Sequence, residues 1–139
     1  MPPVTRWYIR TSLVFLVLSL ALGALLAART PLNLPAATGV LTPIYFHLLF
    51  VGFVAQLIFG VVFWLFPKHT KENPRGSERL AWIAYWLLNA GLVLRLIAEP
   101  ANDVSRRPFW GWLLVVSAAA QLAAGILFAA NTWPRVKER

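Results

Sequence analysis

Residues 45–80 read YFHLLFVGFVAQLIFGVVFWLFPKHTKENPRGSERL, and this stretch decides the class of protein. Residues 45–66 are apolar or aromatic apart from His47 and Gln56, and Pro67 and a charged loop follow at once. An α-helix rises about 1.5 Å per residue, so about 20 such residues span the roughly 30 Å hydrocarbon core of a bilayer. The stretch therefore predicts a transmembrane helix that ends at Pro67.

Three further apolar runs accompany this one, so that predicted helices cover about 11–28, 44–66, 80–98 and 109–130. The chain has 139 residues, of which 59% are hydrophobic and 13% charged, and this leaves no room for a separate soluble domain. Short connections rich in proline and glycine favour antiparallel neighbours. The sequence predicts an all-α protein, a single transmembrane domain over 1–139 folded as an up-down four-helix bundle. The first run is longer than the core of a signal peptide, so we expect a retained helix.

Charge predicts the orientation in the membrane. Of 13 lysines and arginines, nine lie near the termini or between the second and third runs. By the positive-inside rule both termini are cytoplasmic, and we expect the inner membrane of a prokaryote with lipid around the bundle. The net charge of +8 is spread over these segments instead of forming one patch, so nucleic acid is not an expected partner. The absence of cysteine excludes disulfides, thiolate metal sites and covalent haem attachment.

A helical wheel separates His47 from the small residues of the second helix. At about 100° per residue, the side opposite His47 carries Gly52, Gln56, Gly60 and Phe63. Helices in lipid pack through small residues, so this is the predicted packing face, and His47 faces lipid, a cofactor or a second subunit. Position alone also allows an interfacial histidine without a ligand role. His69, in a basic loop, is the weaker ligand candidate.

Two patterns predict contacts elsewhere. Ser77 precedes Glu78 and Arg79 as an N-cap would, at the start of the third helix. In the fourth helix, residues with small or amide side chains recur at spacing four and predict a helix contact: Ser117, Gln121, Gly125 and Ala129.

A longer pattern runs from His47 to Gly91 and covers about a third of the chain. Its residues are His47, Gly52, Gly60, Phe63 or Trp64, Pro67, Ser77, Arg79, Leu80, Tyr85, Trp86, Leu87 and Gly91. With this spacing the stretch resembles part of the catalytic subunit of haem-copper oxidases, most closely the cbb-type oxidases and their nitric oxide reductase relatives. In that family the histidine corresponding to His47 binds the low-spin haem.

The sequence lacks the histidines that bind the active-site haem and the copper ion in this family. The family carries two histidines two residues apart on this helix, whereas here Tyr45 stands at the first position and only His47 remains. The chain has two histidines in all, too few for a copper site. The resemblance therefore implies one four-helix module with at most one haem ligand. Since no catalytic constellation is visible, we do not expect the chain alone to be an enzyme.

The resemblance implies a non-covalent haem b whose iron has His47 as an axial ligand. A low-spin haem needs two such ligands, which a homodimer would supply with one His47 on each face. Arg95, Arg106 and Arg107 would pair with the propionates, since an arginine fork suits a carboxylate. The ring would be walled by Tyr45, Val51 and Val54. The implied function is that of a b-type cytochrome, for electron transfer or for sensing nitric oxide, carbon monoxide or oxygen.

Three alternatives stay open at this point. Arg95 can pair with Glu99, four residues later, as a helix-end ion pair. The chain could be a haem-free accessory subunit of a respiratory oxidase or reductase complex, with an outer-face redox protein as a further possible partner. A quinone site beside Tyr45, His47 and Arg95 is the weakest option, since a quinone carbonyl needs only one or two donors. A Soret band separates the haem hypothesis from the accessory-subunit hypothesis.

Overall fold

Four long helices make up the computed structural model, which describes residues 1–66 and 75–136, and those residues contain no β-strand. The helices are Pro3–Ala27, Ala36–Leu65, Glu78–Ser105 and Pro108–Thr132, and a short 3₁₀ turn, Trp133–Arg135, follows the last. Each is long and apolar enough to cross a membrane. The predicted all-α, multi-pass fold is confirmed. The predicted stop at Pro67 and the loop histidine His69 lie outside the described residues.

Two buried clusters show how the helices are arranged. One joins the start of the first and third helices to the end of the second and fourth: Val4, Tyr8, Phe63, Ala81, Tyr85, Leu88 and Ala124. The other joins the later part of the first and third helices to the start of the second: Phe15, Ile44, Leu48 and Leu92. Successive helices are therefore antiparallel. We call the end with the first cluster the termini end, and the end with the second cluster the histidine end.

Helix boundaries differ from the prediction at the histidine end. The third helix was expected to end near residue 98, yet it continues through Pro100 to Ser105. A proline inside a helix removes one hydrogen bond, but its fixed φ is helical and the helix resumes beyond it. The helix ends at Arg106, which has φ of 45°, and the Arg106 N–H bonds the Asn102 carbonyl at 2.9 Å. At the other end, the predicted cap is confirmed, because the Ser77 side chain accepts from the Leu80 N–H at 3.2 Å.

The winding of the second helix changes along its length. A 3₁₀ segment, Ala36–Leu41, leads into α-helix at Thr42–Phe46, a π-helix at His47–Ala55 and α-helix again at Gln56–Leu65. The wide π turns make buried residues recur every fourth position from Ile44 through Leu48 and Gly52 to Gln56 and Gly60. The predicted packing face is confirmed, and His47 begins the π segment, a feature often found at functional sites.

Glycines allow three close helix contacts. A Cβ atom on Gly60 would lie 2.7 Å from the Tyr8 Cβ, and one on Gly52 would lie 2.9 Å from Phe15. Gly91 faces Ser117, whose hydroxyl donates to the Gly91 carbonyl at 2.6 Å. The predicted stripe on the fourth helix is right at Ser117 but wrong at Gly125, where a Cβ would meet nothing within 4 Å. There the buried residue is its neighbour, Ala124.

Candidate functional site

His47 is held in a defined orientation at the histidine end. Its Nδ1 lies 2.9 Å from the carbonyl oxygen of Pro43, one turn earlier. Because a carbonyl can only accept, Nδ1 carries a proton, and in the neutral imidazole the lone pair is then on Nε2, which is the tautomer that binds a metal through Nε2. Nε2 has no hydrogen-bond partner among the described residues, and the side chain is only partly buried. The imidazole is thus oriented by the backbone and open at its metal-binding nitrogen.

An exposed apolar stripe lies beside His47 on the same helix. Phe46 and Phe50 are 48% and 57% exposed, and their rings stack with centroids 6.1 Å apart and planes 9° apart. Val54 continues this stripe. These exposed rings lie within one turn of His47 along the helix, so an apolar ligand bound at the histidine could contact them.

Two of the predicted wall residues lie in other surroundings. The Tyr45 ring packs against Gly23 of the first helix, where a Cβ would come within 2.9 Å of it. Val51 packs against both buried clusters. Val54 is therefore the predicted wall residue on the exposed stripe, and the roles of Tyr45 and Val51 at a haem stay predictions.

The three predicted propionate partners lie at the histidine end, but no hydrogen bond or ion pair among the described residues joins them to His47. Arg95 Nη2 lies 3.5 Å from Glu99 Oε1, with side chains 22% and 15% exposed, so the predicted ion pair forms. Arg95 Nε and Glu99 Oε2 are buried without a hydrogen-bond partner. Arg106 and Arg107 are exposed between the third and fourth helices.

Arg135 is a polar residue whose role the sequence did not reveal. Its guanidinium is 1% exposed and donates to the carbonyls of Phe63 at 3.0 Å, Phe66 at 2.7 Å and Arg75 at 3.3 Å. It also lies over the Phe63 ring, 5.8 Å from the centroid. Carbonyls at a helix C-terminus lack intrahelical partners and attract cations. Arg135 therefore caps the second helix, and only its basic charge could have hinted at this.

Gln56 differs from Arg135, because its buried polar atoms are not hydrogen-bonded to the described residues. Its side chain is fully buried on the confirmed packing face, and neither amide atom has a hydrogen-bond partner among the described residues. Buried amides are normally hydrogen-bonded to protein or to ordered water. The wheel predicted its burial, but nothing in the sequence predicted that its amide would lack a protein partner.

Comparison with known proteins identifies the family. The sequence model described as NnrS protein matches residues 4–138. The chain belongs to the NnrS family. This is a family of membrane proteins associated with haem binding. No curated protein and no solved structure matches this NnrS chain. The likeness of residues 47–91 to haem-copper oxidases remains a resemblance, since membership of that superfamily is not shown.

The donor set of this NnrS chain fits haem better than a bare metal ion. The described residues contain no group of three or more histidine, cysteine, aspartate or glutamate side chains that could hold a metal. A haem iron takes its four in-plane ligands from the macrocycle and needs only one or two from protein. His47, with Nδ1 bonded to the Pro43 carbonyl, is a residue that could supply one such ligand.

Proposed function

We propose that this NnrS family member binds a non-covalent b-type haem, with His47 Nε2 as an axial ligand. The observation that carries the proposal is the bond from His47 Nδ1 to the Pro43 carbonyl, which orients the ring, while Nε2 has no hydrogen-bond partner among the described residues. A bound haem supplies one-electron transfer when both axial positions are filled, or a site for a diatomic gas such as nitric oxide when one is open.

A second copy of the chain is the proposed source of the second axial ligand. Each chain offers one credible histidine, and that histidine lies on the partly exposed side of the second helix. In a two-fold dimer the same patch of both subunits meets. The exposed rings of Phe46 and Phe50 would then lie between the subunits, beside the macrocycle.

The propionates would be held by arginines of the histidine end. A guanidinium has five N–H donors, and the pair with Glu99 leaves Nε of Arg95 without an acceptor. Arg106 and Arg107 are exposed at the same end and carry further donors. Placing the two propionates there would bring anionic groups to the end of the bundle that has unused cationic donors.

The first experiment is an optical spectrum of the purified protein, oxidised and dithionite-reduced, with a pyridine haemochrome assay for haem per chain. We expect a Soret band, a sharp reduced α band and about half a haem per chain if two His47 residues share it. His47→Ala should lose the haem, while His69→Ala, the change at the other histidine, should keep it.

A His47→Ala protein with full haem content would overturn the assignment of the ligand. One haem per chain would overturn the shared arrangement while keeping haem binding. Absence of a Soret band in protein made with ample haem, together with co-purification of larger redox subunits, would favour the haem-free accessory subunit instead.

A further inference from the structure

An open apolar groove lies at the histidine end, between the last turns of the first helix and the start of the second. Its volume is about 480 Å³, and it is lined by Gly23, Ala24 and Ala27 on one side and by Tyr45 and Phe46 on the other. This volume lies within the range of small-molecule sites, roughly 300 to 1,000 Å³. Both helices belong to the membrane-spanning part, so the groove opens toward acyl chains.

A cation without a partner among the described residues, Arg29, lies close in sequence to the groove residues Ala27 and Thr42. Arg29 follows Ala27 by two residues, and its guanidinium packs against Gly39, where a Cβ would come within 2.6 Å of Nη1. Gly39 therefore makes room for the guanidinium. The guanidinium has no hydrogen bond or ion pair within the described residues, although the side chain is partly buried.

We propose that the groove and Arg29 together bind one anionic phospholipid. An acyl chain would occupy the groove, and the guanidinium would bind the phosphate through two parallel N–H···O bonds. Charge complementarity selects an anionic lipid, because a zwitterionic headgroup brings its own ammonium group close to the arginine. The site requires neither haem nor a second copy of the chain, although Tyr45 and Phe46 line the groove and also belong to the surface proposed for haem.

The test measures how many lipids stay bound to the detergent-purified protein, by native mass spectrometry during titration with phosphatidylglycerol or phosphatidylcholine. We expect one phosphatidylglycerol per chain to bind in preference to phosphatidylcholine, and inorganic phosphate not to displace it. Arg29→Gln should weaken binding about fivefold, the effect of roughly one arginine near a lipid phosphate.

Variants of the groove test the acyl chain separately from the phosphate. Ala24→Phe should fill the groove and reduce the retention of phosphatidylglycerol. Ala21→Phe, at an exposed position of the same helix that does not line the groove, should leave that retention unchanged.

Gly39→Val should displace the Arg29 guanidinium and weaken phosphatidylglycerol binding. Gly111→Val, where a Cβ would meet nothing within 4 Å, should bind this lipid as the wild type does. Arg6→Gln, at the termini end, controls for the loss of one exposed charge.

Equal retention of both lipids by the wild type would overturn the proposal, since it would indicate general solvation by lipid. So would unchanged affinity in Arg29→Gln, or displacement of the lipid by phosphate alone. The wild-type titration with the two lipids tests the proposal even if a variant does not fold. A His47→Ala protein that lacks haem but retains phosphatidylglycerol would separate this site from the haem site.

Discussion

The two ends of the bundle use their polar side chains differently. At the termini end, the buried side chains of Tyr8 and Arg135 donate to backbone carbonyls of a neighbouring helix or loop, Arg135 to three of them. At the histidine end, Nε2 of His47, Nε of Arg95 and the guanidinium of Arg29 have no hydrogen-bond partner in the described part of the chain. The first arrangement stabilises the fold, and the second leaves donors and ligands available.

Further bonds at the termini end support this comparison. The Asn131 amide accepts from the Ser77 N–H at 2.8 Å and donates to the Ser77 carbonyl at 3.0 Å, which joins the start of the third helix to the end of the fourth. The Tyr8 hydroxyl donates to the Ala81 carbonyl at 3.1 Å. The buried hydroxyl of Thr5 has no hydrogen-bond partner among the described residues. Function is therefore best sought at the other end.

The largest effect on folding is expected at Arg135. Arg135→Met keeps an unbranched apolar stem but removes the guanidinium, so the carbonyls of Phe63 and Phe66 lose their donor. Hydrogen bonds to a charged group contribute about 1.5 to 3 kcal/mol each, so the free energy of unfolding in detergent should fall by about 3 kcal/mol. Arg10→Met, at an exposed position, should change it by less than about 0.5 kcal/mol. Equal values for the two variants would show that the bonds of Arg135 are replaceable by water.

A smaller loss is expected from Gly60→Ala. The new Cβ would lie 2.7 Å from the Tyr8 Cβ, which cannot move without its backbone, so the first and second helices must separate. Overpacking costs about 1 to 3 kcal/mol, partly offset by the higher helix propensity of alanine, about 1 kcal/mol. Thermal unfolding should show a lower midpoint, whereas Gly125→Ala, with open space around the Cβ, should unfold at the same or a higher temperature. An unchanged Gly60→Ala midpoint would contradict the close helix contact.

The smallest effect is expected from His47→Ala in haem-free protein. The side chain is partly exposed, and its one hydrogen bond is to the Pro43 carbonyl in its own helix. Surface changes of this kind alter the free energy of unfolding by less than about 0.5 kcal/mol. Chemical unfolding of apo wild type and apo variant measures the difference. A loss above about 1 kcal/mol would make His47 a structural residue and weaken the haem proposal.

Much of this fold could be predicted because lipid imposes a simple constraint on sequence. Four apolar runs of sufficient length must be helices, since backbone polar groups in a bilayer need internal partners. The helix ends were less predictable. Pro100 looks like a helix stop, yet the third helix passes through it to Ser105, because one lost hydrogen bond is tolerated in a long packed helix.

The site was predictable only in part. The packing face of the second helix followed from angular spacing, and its residues are buried: Gly52, Gln56, Gly60 and Phe63. His47, expected on the opposite side, is only partly exposed, and the most exposed positions in and next to the π segment are Phe46, Phe50 and Val54 instead. The bond that fixes the tautomer of His47 could not be read from the sequence, since it depends on the side-chain rotamer. The groove beside Arg29 was also unpredictable, since it depends on how two helices separate.

By itself, the sequence determined the number of helices, their membrane character, the packing face of the second helix and the absence of cysteine ligands. These features depend on composition and on local periodicity, which can be read from the residue types and their spacing without knowledge of the contacts between helices. The tertiary structure decided which polar groups have hydrogen-bond partners. Arg135 reaches the end of the second helix from about 70 residues away, and Arg29 packs on Gly39 with no acceptor among residues 1–66 and 75–136. Such partnerships arise from distances between helices, and residue identity alone does not specify those distances.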